Sequence, residues 1–295
     1  DWPSYAGKKR HLPWYLLAAK ALAASGTRIF MHGGGAHTAG RLYTEQLLKQ
    51  LDIACCDDWQ AVEEALDTHG LAYSYLGNWM PALQRMIDLR NTLGLRSPIH
   101  SLARVINPLN AHCGLQSIFH PGYQAVHREA SRLLGDHAIV IKGEGGEIEV
   151  NPDVACHLYG TRNGEDWDEE WPALSAQRHV KPERLDPAVL NAFWRGERED
   201  AYGQHAAQPE GGEPGQAPGQ WWFALVHLVV PLADDHLAAE HPVAVGGVDQ
   251  DDRHHEHHAD QGEGLAAGGR RGLPDAHRRR DDVRPQADGQ ARVGQ

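Results

Sequence analysis

The chain has little cysteine, no lysine beyond Lys181 and no apolar run long enough to cross a bilayer. Its four cysteines, Cys55, Cys56, Cys113 and Cys156, lack C-x-x-C spacing. That argues against a disulfide frame or a zinc site, and free thiols of a reducing cytoplasm are the expectation. The best apolar candidate, WWFALVHLVVPLA from Trp221, is broken by His227 and Pro231. It falls short of the roughly 18 residues a spanning helix needs, so no membrane is expected. Bases are also scarce: 28 Lys and Arg stand against 40 Asp and Glu, a formal charge of −12. Phosphate backbones are bound by clustered cations, so this balance argues against nucleic acid while leaving room for a local basic patch. The start at Asp1, without Met or signal peptide, reads as a truncation or fragment.

The residues that are present divide near Gly203. Before it, helix and strand patterns alternate; after it, Gly, Pro, Gln, Asp, His and Arg dominate and periodicity fades. HAAQPEGGEPGQAPGQ and DDRHHEHHADQGEGLAAGGRRG have the composition of chain that buries too little apolar surface to order itself. The expectation is an ordered domain over residues 1–203 and a low-complexity tail over 204–295, disordered or out of frame.

In the first region LPWYLLAAKALAASG predicts an apolar helix with Pro13 near its first turn and Gly26 as stop. TRIFM predicts a short buried strand. RLYTEQLLKQLDI predicts an amphipathic helix with Leu42, Leu47, Leu48 and Leu51 on one stripe. DDWQAVEEALDTHG predicts a helix capped by Asp57 or Asp58 and ended by Gly70. LAYSYL, LQSIF and HAIVIK read as strands, MPALQRMIDLRNTLG and YQAVHREASRLLG as helices, and GEGG with EIEV as turn and strand. The alternation argues for an α/β sheet with helices on both faces, and ligands in such sheets sit outside the carboxyl ends of the strands. His32 with its glycines, Tyr73–Gly77, His120-Pro121 and Lys142–Glu149 all fall there.

Each candidate has a plain alternative. HGGG, His32 to Gly35, lets a backbone approach an anion at a helix start, yet it also serves as a tight turn. It lacks the spacing of the nucleotide-binding glycine motifs, and no G-x-S-x-G elbow accompanies it as esterases require. KGEGGEIEVNPD carries Glu144, Glu147, Glu149 and Asp153, which suit Mg²⁺ or the wet face of a β-hairpin. Arg96, near His100 and Arg104, suits a bidentate anion contact or an ordinary loop. KKRH, Lys8 to His11, reads as a solvated helix start, and HHEHH, His254 to His258, as at most an adventitious metal binder.

Taken in order, DWPSYAGKKRHLPWYLLAAKALAASGTRIFMHGGG, LGLRSPIHSLARVINPL, IFHPGYQAVHREASRLLGDHAIVIKGEGGEIEV and FWRGEREDAYG resemble the glycosyltransferase family 3 phosphoribosyltransferases. The familiar member is anthranilate phosphoribosyltransferase (TrpD), and the likeness runs toward the YbiB-like branch. It spans about Asp1 to Gly203. The resemblance implies a nucleoside phosphorylase/phosphoribosyltransferase-type catalytic domain of α/β class, with a central sheet flanked by helices. The family's N-terminal helical domain, through which homodimers form, is expected to be missing. It implies phosphoribosyl pyrophosphate and an aromatic amine acceptor as substrates, with Mg²⁺ if the chain is catalytic, in chemistry of the tryptophan biosynthesis type. It carries substrate binding onto His32, Gly33, Gly34, Thr38 and Arg96, and metal binding onto Glu149. Several family positions are altered: Met31 and Gly34 stand for Lys and Asn, His100 for Asn, and Ile148 for the Asp of an Asp-Glu pair. The family's G-T-G-G-D loop falls near DWPSYAGKK, which keeps Gly7 alone. Each lost charge-assisted contact costs about 1.5–3 kcal/mol, so a non-catalytic YbiB-like nucleic-acid-binding homologue is the alternative.

Overall fold

A computed structural model describes residues 1–95 and 97–207. Its elements run β1 (Trp2–Ser4), α1 (Tyr15–Ala24), β2 (Ile29–Gly33), β3 (Ala54–Cys56), α2 (Trp59–His69), β4 (Leu71–Tyr75), α3 (Leu76–Trp79), α4 (Pro81–Leu93) and α5 (Ile99–Leu102). There follow β5 (Gly114–Ser117), α6 (Gln124–Leu134), β6 (Ala138–Ile141), β7 (Cys156–Arg162), β8 (Glu165–Trp171), α7 (Ala188–Trp194) and α8 (Ala201–Ala207). The helix signals act as their chemistry dictates. Asp58 accepts the Ala61 N–H at 2.8 Å to cap α2, and Gly70, Gly94 and Gly135 end α2, α4 and α6 in the left-handed conformation that glycine adopts without strain.

Two four-stranded sheets result. The first, in the order β1-β2-β4-β3, is wholly parallel; the second, β5-β6-β7-β8, is parallel at β5-β6 and antiparallel beyond. They meet where the Asp1 carbonyl accepts the Leu115 N–H at 2.9 Å and the Asp1 amine donates to the Cys113 carbonyl at 2.7 Å. One apolar cluster runs beneath both, taking in Met31 of β2, Ile139 of β6 and Leu158 of β7. Tyr15, Leu16, Leu17, Ala18 and Ala19 of α1 have no exposed surface at all. A helix apolar all round belongs inside a fold, which is where LPWYLLAAKALAASG goes.

Two expected elements are corrected. Arg41 to Ile53 forms no amphipathic helix, only a 3-10 turn at Thr44–Gln46 and further turns. Its start is pinned instead: Leu42 exchanges backbone hydrogen bonds with Lys8, each 2.8 Å. Leu47, Leu48 and Leu51 still reach the core. Glu147 to Val150 forms no second strand of a hairpin. Its carboxylates are not on a wet face; Glu147 and Glu149 are both 0% exposed, because each finds buried donors far away in sequence. Lys8 and His11 are likewise buried, not a solvated helix start.

The hairpin β7–β8 turns at Asn163-Gly164, both with positive φ, the conformation an Asn-Gly hairpin turn requires. β8 ends its sheet and carries Glu165, Asp166, Asp168, Glu169 and Glu170. Among the described residues no helix is long and apolar enough to cross a membrane. α8 crosses Gly203, where a Cβ would come within 2.5 Å of the Trp14 ring. The expected tail beyond it, including WWFALVHLVVPLA and HHEHH, lies outside the described residues from 208 onward.

Gly160 on β7 lies opposite Trp167 on β8, whose ring fills the place of a side chain; a Cβ would sit 1.8 Å from it. Gly160→Ala is therefore expected to destabilise the chain by about 1–3 kcal/mol through overpacking, read as a lower urea midpoint. An unchanged midpoint would show that the Trp167 ring is free to move aside.

Candidate functional site

Three loops at carboxyl ends of strands converge. The first follows β1. Gly7 takes a φ of 66° there, with the Tyr43 ring 3.1 Å from where a Cβ would be. That turn points the N–H groups of Ala6 and Gly7 at one oxygen, Oε1 of Glu147, at 2.6 Å each. Two adjacent backbone amides aimed at one point make an anion cradle, here filled by the chain's own carboxylate. Lys8 follows, 0% exposed.

The second loop follows β6. Gly145 and Gly146 have positive φ, and Gly143 leaves no room for a side chain, since a Cβ would stand 1.5 Å from the Glu147 carbonyl oxygen. This sharp course turns Glu144, Glu147 and Glu149 inward. The Lys8 ammonium donates to Glu144 Oε2 and Glu149 Oε1, both at 2.5 Å, and to the Glu144 carbonyl at 3.2 Å. Glu149 Oε2 accepts the Tyr15 N–H at 3.1 Å at the start of α1, where the helix dipole favours a negative charge. Tyr202 donates to Glu149 Oε1 at 3.3 Å. Arg41 donates to the carbonyls of Ala6, Gly7 and Gly145 at 2.8–3.1 Å, tying the two loops together. Arg104, 6% exposed, lies by Gly146, its Nη2 3.8 Å from where a Cβ would be.

Burial sets the protonation of this cluster. It pushes Glu149 up to about 7 against the pull of Lys8. It also raises Glu147, opposed chiefly by the nearby Arg104 charge and by the Gly7 N–H. Burial works to raise Glu144 too, but the charge and hydrogen bond of Lys8 carry it below its ordinary value.

The third loop is the glycine run after His32. His32 is 0% exposed. Its Nδ1 lies 2.7 Å from the Tyr5 hydroxyl and its Nε2 3.1 Å from Asp1 Oδ2; a neutral ring with the proton on Nε2 satisfies both. Gly33 is closed in, a Cβ there lying 2.4 Å from the Ser4 carbonyl and 2.8 Å from the Tyr73 hydroxyl. At Gly34 a Cβ would lie 3.0 Å from the Gln84 amide oxygen and 3.4 Å from the Tyr5 ring. Thr38 is half-buried and its Oγ1, enclosed, has no hydrogen-bond partner among the described residues. The run meets the 97–108 segment through His37 and His100, whose ring centroids are 5.3 Å apart. Arg96 itself lies outside the described residues. Asn107 holds its own turn, bonding both backbone groups of Ala111 at 2.8 and 2.9 Å.

The structure thus brings His32, Gly33, Gly34, Thr38 and Glu149 to one end of the sheets. It adds Tyr5 and Arg41, which motif spacing did not single out, and gives Lys8 and Glu147 buried partners in place of the solvated positions expected of them. Lys8 and Glu147 are visible as charges, but the contacts of Lys8 with Glu149 and of Glu147 with the Gly7 N–H join positions 141 and 140 apart and leave no local signal.

No protein-family model matches the chain. Individual relatives do. Anthranilate phosphoribosyltransferase of Ralstonia pickettii is 30% identical over 143 residues, 48% of this chain and 41% of that protein. The enzyme so named from Paracidovorax citrulli is 26% identical over 184 residues, 59% of this chain and 53% of that protein. Over that part of its length the chain is similar to anthranilate phosphoribosyltransferases. This TrpD-like chain spans about two-fifths to one-half the length of those relatives. The crystal structure of TrpD from Thermus thermophilus matches its fold with a TM-score of 0.52 at 22% identity, over 67% of this chain and 61% of that one.

Burial depresses His32 from 6.5 to about 3. It depresses His127, bonded through Nδ1 to the Gln116 amide oxygen at 2.9 Å, to about 4. Both rings fold neutral and must charge in acid, so the stability they contribute is complete above 6.5 and lost as pH falls toward those values. Urea midpoints measured from pH 7 down to pH 4 should fall, and fall less steeply in His127→Gln. Parallel slopes for the two proteins would refute the assignment.

Proposed function

We propose that the TrpD-like chain carries a site of the phosphoribosyltransferase type, for phosphoribosyl pyrophosphate as donor and an aromatic amine of the anthranilate class as acceptor. The observation that carries this reading is the convergence of the loops at Tyr5–Lys8, His32–Thr38 and Gly143–Glu149 on one end of the sheets, tied by Arg41 across 104 residues to Gly145. The names of the relatives support it. In this reading His32, Gly33, Gly34 and Thr38 shape the donor loop and Arg96 meets the acceptor. The chain works in the cytoplasm, in chemistry of the tryptophan biosynthesis type, as a homodimer. With little covalent chemistry asked of the protein, positioning and charge stabilisation carry the rate.

The residues present do not fit the Mg²⁺ expected of the family. Both oxygens of Glu149 already accept hydrogen bonds from Lys8, Tyr202 and Tyr15. Its neighbour Ile148 is apolar and buried. No group of three His, Cys, Asp or Glu among the described residues is placed to hold a metal. The same closure favours a second reading in its non-catalytic half: a YbiB-like homologue that keeps the fold and binds nucleic acid.

One experiment separates the two. Donor binding and transfer to anthranilate are measured on the chain beside binding of labelled single-stranded DNA at two salt concentrations. Donor binding with turnover is expected. Absence of both would overturn the proposal, and salt-sensitive DNA binding in their place would establish the second reading.

A further inference from the structure

We infer that Lys8 is the resident cation of the loop cluster: its ammonium occupies the position between Glu144 and Glu149 that a divalent ion would otherwise take, so the chain neutralises this carboxylate pair internally.

Three observations carry this. The first is saturation. An ammonium has three N–H donors, and those of Lys8 have three acceptors: Glu144 Oε2, Glu149 Oε1 and the Glu144 carbonyl. The three side chains are shielded from water, with Lys8 and Glu149 both 0% exposed and Glu144 10%. The second is placement by the backbone. Gly7 turns the chain with positive φ and Lys8 is then locked by paired hydrogen bonds with Leu42. Its stem is therefore aimed by the fold, and the ion pair is not a surface lysine's passing contact. The third is charge. Lys8 serves Glu144 and Glu149, and Arg104 acts on Glu147, so cations of the chain already stand against these carboxylates. A divalent ion entering beside Lys8 would set two further positive charges against that ammonium in a place shielded from water, which is strongly unfavourable. The cradle of Ala6 and Gly7 N–H groups completes the pattern, since Glu147 fills it as Lys8 fills the carboxylate pair. Both halves of an ion-binding apparatus are thus satisfied from within.

The inference does not require the phosphoribosyltransferase reading, because its test reads metal and lysine directly. Mn²⁺ alone is the probe, followed by electron paramagnetic resonance on the 295-residue chain, on Lys8→Met and on Lys8→Met with Glu149→Gln. The wild-type chain is expected to leave Mn²⁺ free at millimolar concentration. Lys8→Met should gain affinity by about tenfold or more, and the second substitution should remove that gain. Wild-type binding as tight as that of Lys8→Met would overturn the inference, as would a folded Lys8→Met with no gain.

Removing Lys8 leaves buried carboxylates unpaired, so the variant itself is at risk of unfolding. A second measurement then decides on the wild-type chain alone. Reductive methylation followed by peptide mass mapping should modify the exposed Lys9, Lys49, Lys142 and Lys181 and spare Lys8. Mn²⁺ should change neither that protection nor the melting temperature. Labelling of Lys8 provoked by Mn²⁺ would show the metal displacing it and overturn the inference.

Discussion

Pairing of buried charges from opposite ends of the domain is the constraint on which the loop cluster depends. Glu147 gathers the N–H groups of Ala6 and Gly7, and Glu149 gathers Lys8 and the first N–H of α1. A carboxylate taken out of water is costly unless donors surround it. The fold meets that demand only if the loop after β1, the start of α1 and the loop after β6 are in register. One set of contacts therefore fixes three loops, and Arg41 reinforces it by holding carbonyls of two of them. Breaking one partner would leave the other charge buried alone, so this region has little tolerance for single changes.

Much of the fold is legible in the sequence because its signals are local. Asp58, Gly70, Gly94 and Gly135 bound helices through caps that need only neighbouring residues. The apolar run of α1 and the strands TRIFM, LAYSYL and HAIVIK declare their burial by composition. Elsewhere a distant partner overrides the local pattern. The leucines from Leu42 to Leu51 have helical spacing, but Lys8 holds Leu42 in a β-bridge and the segment reaches the core through turns. EIEV has strand alternation, but its glutamates are drawn inward by donors near the start of the chain. The β7–β8 hairpin is a different case: Asn163-Gly164 is a strong turn signal, but the charges of β8 mask the apolar alternation that would mark a strand beside it.

The candidate site divides the same way. The glycine run lies at the end of a strand as its sequence implies, because a strand end and its loop are adjacent along the chain. Its occupancy is not legible. Gly33 and Gly34 are small because Ser4, Tyr73, Tyr5 and Gln84 crowd them, and His32 is held in the core by Tyr5 and Asp1. Small residues that admit a ligand and small residues that admit neighbouring side chains look alike in one sequence. Only the contacts distinguish them.

The acidic strand β8 has a meaning apart from any ligand. A strand at the margin of a sheet offers unpaired backbone groups to any other strand. Here that margin is lined with Glu165, Asp166, Asp168, Glu169 and Glu170. A second copy adding itself edge to edge would align carboxylates with carboxylates, and among the described residues Arg128, paired with Asp166 and Asp168, tempers them from within. Electrostatic repulsion at β8 thus opposes the addition of a further strand to the edge formed by the described residues.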